Sequence, residues 1–235
     1  MPDTKFWYAP GACSLAPHVL LHEICVPFDA VETSFAKGAH LTDEFARINP
    51  KKRLPVLSLD GEVITEVPAI ATAIANLAPG RHLMGRTVLD RVRVYEWMIW
   101  LSGTLHGQSF GGLWRPERFS DDPAAFDGIR AKGRRTILDC FQLIEGKVTT
   151  PYSVGEGFTA VDPYLLVFYR WGNGVGIDMP GACPHYTAFA RGLVQRESVK
   201  AALAAEGIGH QALRDHVPEL SPVASTTSSV KGNAS

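Results

Sequence analysis

The order of apolar and polar positions changes character about a third of the way along the chain. Residues 5–9 form a short strand-like run that Pro10-Gly11 breaks. A helical stretch follows over residues 14–24, with Pro17 tolerated in a first turn whose N–H groups lack intrahelical partners. A second strand is expected over 28–33 and a short helix over 43–48, closed by Asn49-Pro50. Residues 55–59 and 62–64 flank Asp60-Gly61, a dipeptide suited to the two positive-φ positions of a tight hairpin. Thr65 is placed to cap the next helix, in which Ile70, Ile74 and Leu77 recur at i, i+4 and i+7.

From about Thr87 only helical period remains. Residues 87–113 read as one long helix with Val92, Tyr95, Ile99 and Leu105 facing a core. Residues 123–148 form a second, with Phe126, Ile129, Ile137, Phe141 and Ile144 on its apolar stripe. A third is expected over 159–172 and a fourth over 184–206, ended by Gly207. Residues 221–235 are rich in Ser, Thr, Gly and Ala, a composition that predicts disorder. The expected organisation is a small α/β domain over 1–82, an all-α domain over 87–209 and a disordered tail over 210–235.

Composition narrows the function. With 46% hydrophobic residues in 235 the chain can bury a real core, and 23 basic against 24 acidic residues leave a net charge of −1. That balance argues against a nucleic-acid partner or a polybasic membrane surface. No run approaches the roughly 18 apolar residues of a membrane span, and the N-terminus shows no signal-peptide core. The four cysteines, at 13, 25, 140 and 183, lack the spacing of a metal site or a disulfide framework. A reduced, cytoplasmic protein without a metal is the expectation.

Three places could carry chemistry. Cys13 sits in the turn Pro10-Gly11-Ala12-Cys13-Ser14 at the start of a helix, where the positive helix end lowers a thiol pKa; the alternative is a small buried apolar residue. Leu54-Pro55 leads a strand and could present an open backbone edge to an extended peptide, with an ordinary trans proline as the default. Thr65-Glu66-Val67-Pro68 starts a helix, offering N–H groups to a carboxylate and Glu66 to an ammonium, or simply an acidic cap. Together they describe a site for a short acidic thiol peptide.

The segment Tyr8-Ala9-Pro10-Gly11-Ala12-Cys13-Ser14-Leu15-Ala16-Pro17-His18 resembles the opening of bacterial beta-class glutathione transferases. Asn49-Pro50, Leu54-Pro55-Val56-Leu57, Thr65-Glu66 and Ala69-Ile70 resemble their glutathione half, and Glu96-Trp97 with Leu105-His106 resembles their fourth helix. Phe158-Thr159-Ala160-Val161-Asp162 resembles their sixth-helix capping box, with Phe158 as the staple residue. Residues 202–207 resemble the terminal helix, so the likeness spans roughly 5–208. The implied fold is an α/β thioredoxin-like domain followed by an all-α domain.

The resemblance implies a detoxifying transferase with glutathione as co-substrate, a small apolar electrophile as second substrate, and a homodimer. It places Cys13 at the glutathione sulfur, able to form a mixed disulfide. It assigns the Leu54 backbone beside Pro55 to the peptide, and Glu66 and Val67 to the γ-glutamyl end. Lys37 falls near the glycine carboxylate and His106 near the thiol. Trp100, Phe110, Leu113 and Trp114 are expected to offer apolar surface to the electrophile. Four positions depart from the pattern: Val67 for Ser or Gly, Ile99 for Asn, Gly107 for Lys, and Pro163 for Ala, the last expected to remove the first intrahelical hydrogen bond of its helix. These departures keep two other readings open: a non-catalytic binder on the same scaffold, and a specialised glutathione-dependent lyase or dehalogenase.

Overall fold

Alternation of buried and exposed side chains makes Thr4–Tyr8 a strand, β1, with Thr4, Phe6 and Tyr8 turned inward. The computed structural model describes residues 2–149, 151–208 and 213. The expected tail from 210 lies, apart from Leu213, outside the described residues.

β1 pairs in parallel with β2 (Asp29–Glu32) and antiparallel with β3 (Val56–Leu59), which pairs antiparallel with β4 (Glu62–Thr65). The sheet order is β2-β1-β3-β4. Asp60 and Gly61 take φ of 49° and 88°, as the two-residue hairpin requires. Helices α1 (Leu15–Ile24), α2 (Asp43–Ile48) and α3 (Val67–Leu77) complete this half, and α1 packs against α3. Thr65 does not cap α3: it ends β4, Glu66 takes the cap position at φ 72°, and the Thr65 hydroxyl accepts from Lys51 Nζ at 2.9 Å.

The remaining elements are helical: α4 (Val88–Trp100), a π-helical segment (Leu101–Phe110), α5 (Gly111–Trp114), α6 (Phe126–Glu145), α7 (Val161–Gly174), α8 (Met179–Ala182), α9 (Pro184–Leu193) and α10 (Glu197–Ala205). In α4 the expected face is wrong. Val92, Tyr95 and Ile99 are exposed, while Val94, Trp97 and Met98 line the core, joined by Leu101 and by Leu105, which faces inward as expected. Both faces are apolar at helical spacing, so periodicity fits either stripe and packing selects one. The expected helix over 184–206 divides into α9 and α10, because Arg196 turns extended at ψ 134° to reach across the domain seam. Pro163 is the third residue of α7, where an N–H has no intrahelical partner, so no helix bond is lost there. The expected capping role of Asp162 is present: its carboxylate accepts from the Thr159 N–H at 2.6 Å and from Ser153 N and Oγ at 2.8 and 2.6 Å.

Two buried carboxylates join the halves. Glu23 on α1 accepts from Arg196 Nε at 2.7 Å and Ser198 Oγ at 2.6 Å. Glu206, just past α10, accepts from the Gly11 N–H at 2.8 Å and meets His18 Nδ1 at 2.9 Å, its side chain wholly shielded from solvent. Trp171 Nε1 on α7 donates to the Gly11 carbonyl at 3.0 Å. Glu206→Ala strands both the Gly11 N–H and His18, so it should lower the unfolding free energy by about 3 kcal/mol, whereas Glu206→Gln, which keeps an acceptor, should cost about 1 kcal/mol. Urea unfolding at fixed protein concentration measures both.

Candidate functional site

The site begins where β1 turns into α1. Ser14 Oγ donates to the Ala9 carbonyl at 3.0 Å and accepts from the Ala9 N–H at 3.1 Å, folding the turn back on itself. Gly11 takes φ 72°, a backbone conformation that suits glycine. This turn buries Cys13 and sets its Sγ 3.7 Å from the Leu54 carbonyl, which accepts from the thiol. Leu54-Pro55 is a cis peptide, not the trans form expected by default, and both residues are buried.

The expectation of an activated thiolate at Cys13 is not met. Burial pushes the thiol up to about 12, with Glu66 and Glu206 adding to the rise, against smaller opposing effects of the local backbone and Arg115. The helix proper starts at Leu15, and desolvation of a shielded sulfur outweighs the helix end. Cys13 is a thiol donor at neutral pH.

Glu66 combines positive φ with an exposed ion pair, its Oε1 accepting from Lys51 Nζ at 2.7 Å. A non-glycine residue in that region is uncommon and clusters at functional sites. Val67, buried beside it, opens α3, where unpaired N–H groups face outward along the axis. Lys37 lies exposed after β2, and among the described residues its side chain makes no hydrogen bond or ion pair with Cys13, Leu54 or Glu66. Lys51 was missed as a single residue of a basic turn.

His106 sits half-buried on the π-helical segment, where Ser109 Oγ donates five residues back to Thr104 O at 2.7 Å. Such segments often occur at functional sites. Gly107 suits the widened turn, since an added Cβ would come 3.1 Å from the Ser102 carbonyl. The His106 ring lies 5.1 Å from Trp171, centroid to centroid, and its Nδ1 is 3.5 Å from Tyr164 Oη. Burial, then Arg115, Arg118 and Arg53, push His106 down to about 4, so it is neutral at pH 7. Tyr164, whose hydroxyl also meets Ser102 Oγ at 3.2 Å, is held protonated by burial.

Phe110 is fully buried against Trp114, Phe168 and Trp171, so it does not present the expected apolar surface; packing claims it for the core. Trp114 is half-buried, with its ring 5.0 Å from Trp171. Tyr164 and the three arginines were not found from sequence, because an aromatic in an apolar helix and basic residues on separate loops carry no local signal. Among the described residues no group of three or more His, Cys, Asp or Glu side chains could hold a metal. No described helix is long and apolar enough to cross a membrane.

Residues 2–76 match the family described as "Glutathione S-transferase, N-terminal domain". Over 208 residues the chain is 31% identical to a glutathione S-transferase of Escherichia coli O157:H7, covering 87% of this chain and 99% of that protein. A glutathione transferase homologue from Sulfitobacter, solved with bound glutathione, superposes at a TM-score of 0.82 with 29% identity, covering 89% of this chain and all (100%) of its own. A bacterial beta-class enzyme from Sphingomonas chungbukensis superposes at 0.76 with 33% identity, over 87% of this chain and 100% of its own. This chain therefore belongs to the glutathione S-transferase family.

Proposed function

We propose that this glutathione S-transferase conjugates glutathione to small electrophiles, with Cys13 serving as a hydrogen-bond donor to the glutathione sulfur rather than as the nucleophile. The contact of Cys13 Sγ with the Leu54 carbonyl carries the reading, because it sets the thiol beside a backbone edge. The peptide backbone of glutathione pairs with the Leu54 edge that Pro55 presents. Its γ-glutamyl carboxylate sits at the Val67 N–H and its ammonium at Glu66, displacing the Lys51 pair. Lys37 is assigned to the glycine carboxylate.

In the reaction the glutathione thiolate attacks an electrophilic carbon, a C–S bond forms, and the leaving group departs with its electron pair. On binding, Cys13 turns its S–H from the Leu54 carbonyl to the thiolate and holds it oriented for attack. Neutral His106, fixed by Tyr164 and Trp171, lies beside the second-substrate space and accepts or donates without bringing charge. Trp114 supplies apolar surface. A buried, protonated Cys13 disfavours thiol–disulfide exchange as the main activity. The retained donors and acceptors of the peptide edge favour an enzyme over a bare scaffold. All four cysteines are free, which supports a reducing cytoplasmic setting.

The α4 face that packing leaves outside completes the proposal. Val88, Leu89, Val92 and Ile99 are 76%, 62%, 55% and 66% exposed, with Tyr95 between them, an unbroken apolar stripe along α4. A second copy of this chain is its proposed occupant, giving a twofold homodimer. Val92→Asp should convert a dimer to a monomer in sedimentation velocity; a wild-type monomer at micromolar concentration overturns the assignment.

The role of Cys13 has two measurable consequences. Cys13→Ser, which keeps a donor, should retain most conjugation of 1-chloro-2,4-dinitrobenzene, whereas Cys13→Ala should lose about tenfold in kcat/KM, the worth of a hydrogen bond to a charged group. Alkylation by iodoacetamide, followed by intact mass and peptide mapping, should consume exposed Cys25 first. Because the thiolate is a small fraction below the raised pKa, Cys13 labelling should climb about tenfold per pH unit from pH 7 to 10 without a plateau. A plateau by pH 8 would restore Cys13 as a thiolate nucleophile.

A further inference from the structure

The γ-glutamyl end of the site holds an ion pair of the protein's own. Lys51 Nζ donates to Glu66 Oε1 at 2.7 Å and to Thr65 Oγ1 at 2.9 Å, and these two acceptors stand immediately before Val67, the first residue of α3. A built turn carries Lys51 there. The buried Asn49 side chain accepts from the Lys51 N–H at 3.1 Å and donates to the Arg53 carbonyl at 2.7 Å. Residues 49–53 are thus folded around one amide, directly before the Leu54-Pro55 edge. The start of α3 is short of donors by comparison. Pro68 has no N–H, the Ile70 N–H is bonded to the Glu66 carbonyl at 2.9 Å, and Val67 brings no side-chain hydroxyl.

Resting on the proposed binding of glutathione, we infer that Lys51 is a substrate-binding residue that takes the α-carboxylate of the γ-glutamyl group while Glu66 takes its α-ammonium. The amino-acid end of the tripeptide is inserted between the two side chains. An α-amino acid zwitterion brings one charge of each sign, so both members of the opened pair regain a partner of opposite charge. Opening the pair costs little, because the Lys51 and Glu66 side chains are 53% and 63% exposed and water screens their attraction. Lys51 carries three N–H donors and spends one on Thr65, which holds the ammonium in place as Glu66 turns to the substrate. The donor released from Glu66 meets one carboxylate oxygen, and the Val67 N–H at the helix start meets the other. Lys51 thus supplies the side-chain donor that Val67 lacks. The pair selects a free α-amino acid group carrying both charges over an acyl group carrying one.

Two analogues of glutathione separate the charges. 4-Aminobutanoyl-Cys-Gly keeps the α-ammonium and lacks the α-carboxylate, and glutaryl-Cys-Gly keeps the carboxylate and lacks the ammonium. Binding of all three tripeptides under reducing conditions is read by isothermal titration calorimetry on wild type, Lys51→Gln and Lys51→Arg. Thermal unfolding checks that each variant is folded.

Lys51→Gln should weaken glutathione and glutaryl-Cys-Gly by about fivefold each, the effect of one charge-assisted hydrogen bond in a partly exposed setting, and 4-aminobutanoyl-Cys-Gly by less than about twofold. Lys51→Arg, which keeps the cation, should stay within about twofold of wild type for all three, and the fivefold effect should shrink as salt is added. A loss that follows the ammonium instead, sparing glutaryl-Cys-Gly, overturns the inference and leaves Lys51 as a residue that only orients Glu66. Equal loss for all three tripeptides overturns it as well, assigning Lys51 to the shape of the turn. Unchanged or tighter glutathione binding in Lys51→Gln overturns it by making the Lys51 pair a competitor of the substrate. In each of these cases the proposed conjugation stands. Absence of glutathione binding in the folded wild type overturns the proposed function and the inference with it.

Discussion

One buried carboxylate ties the reactive turn to the helical half. Glu206 comes from the far end of the described chain, yet it accepts from the Gly11 N–H two residues before Cys13 and from His18 one turn into α1. A carboxylate taken wholly out of water is tolerable only when such partners are in place, so the helical half must dock before the turn is complete. Gly11 answers on its other side, its carbonyl accepting from Trp171. The loop that carries Cys13 is thus clamped through the N–H and the carbonyl of Gly11, by a carboxylate just past α10 and by an indole of α7. Nothing in the α/β half alone holds it that way.

The same docking explains why α1 is buried on nearly every side. Nine of its ten residues are shielded, including His18 and Glu23, because the sheet and α3 lie on one side and α7 and α10 on the other. Its two buried polar residues, His18 and Glu23, find partners across the seam. Glu23 receives Arg196 and Ser198, and that need turns the chain between α9 and α10 and divides what its apolar pattern reads as one helix.

Local chemistry was legible in the sequence, and long-range chemistry was not. The Asp60-Gly61 hairpin, the Cys13 turn, the Leu54-Pro55 edge and Glu66 each announce themselves through residue types with few conformational options. The inward face of α4 did not, because Val92 and Ile99 are as apolar as Val94 and Met98, and only the presence of α7 chooses between them. Ten residues of π-helix read as ordinary helical period. Tyr164, Arg115 and Arg118 have meaning only once Cys13 and His106 are beside them. Even the thiol was misjudged for that reason: its position along the helix is local, but its burial is tertiary.

Burial and charge then divide the labour of the site. Cys13 is kept as a thiol, His106 as a neutral ring and Tyr164 as a phenol, so three groups that could carry charge are held uncharged by desolvation. The arginines keep their charge at the rim. A shielded interior that offers hydrogen bonds without charge, edged by cations, suits an anion that enters from outside and stops short of the protein's own ionisation. On the proposed reaction that anion is the glutathione sulfur, and the low-polarity setting that suppresses the Cys13 thiolate is also what strengthens each hydrogen bond donated to the substrate's thiolate. On that reaction the raised pKa of Cys13 fits the chemistry, because a second thiolate beside the glutathione sulfur would repel the one that must react.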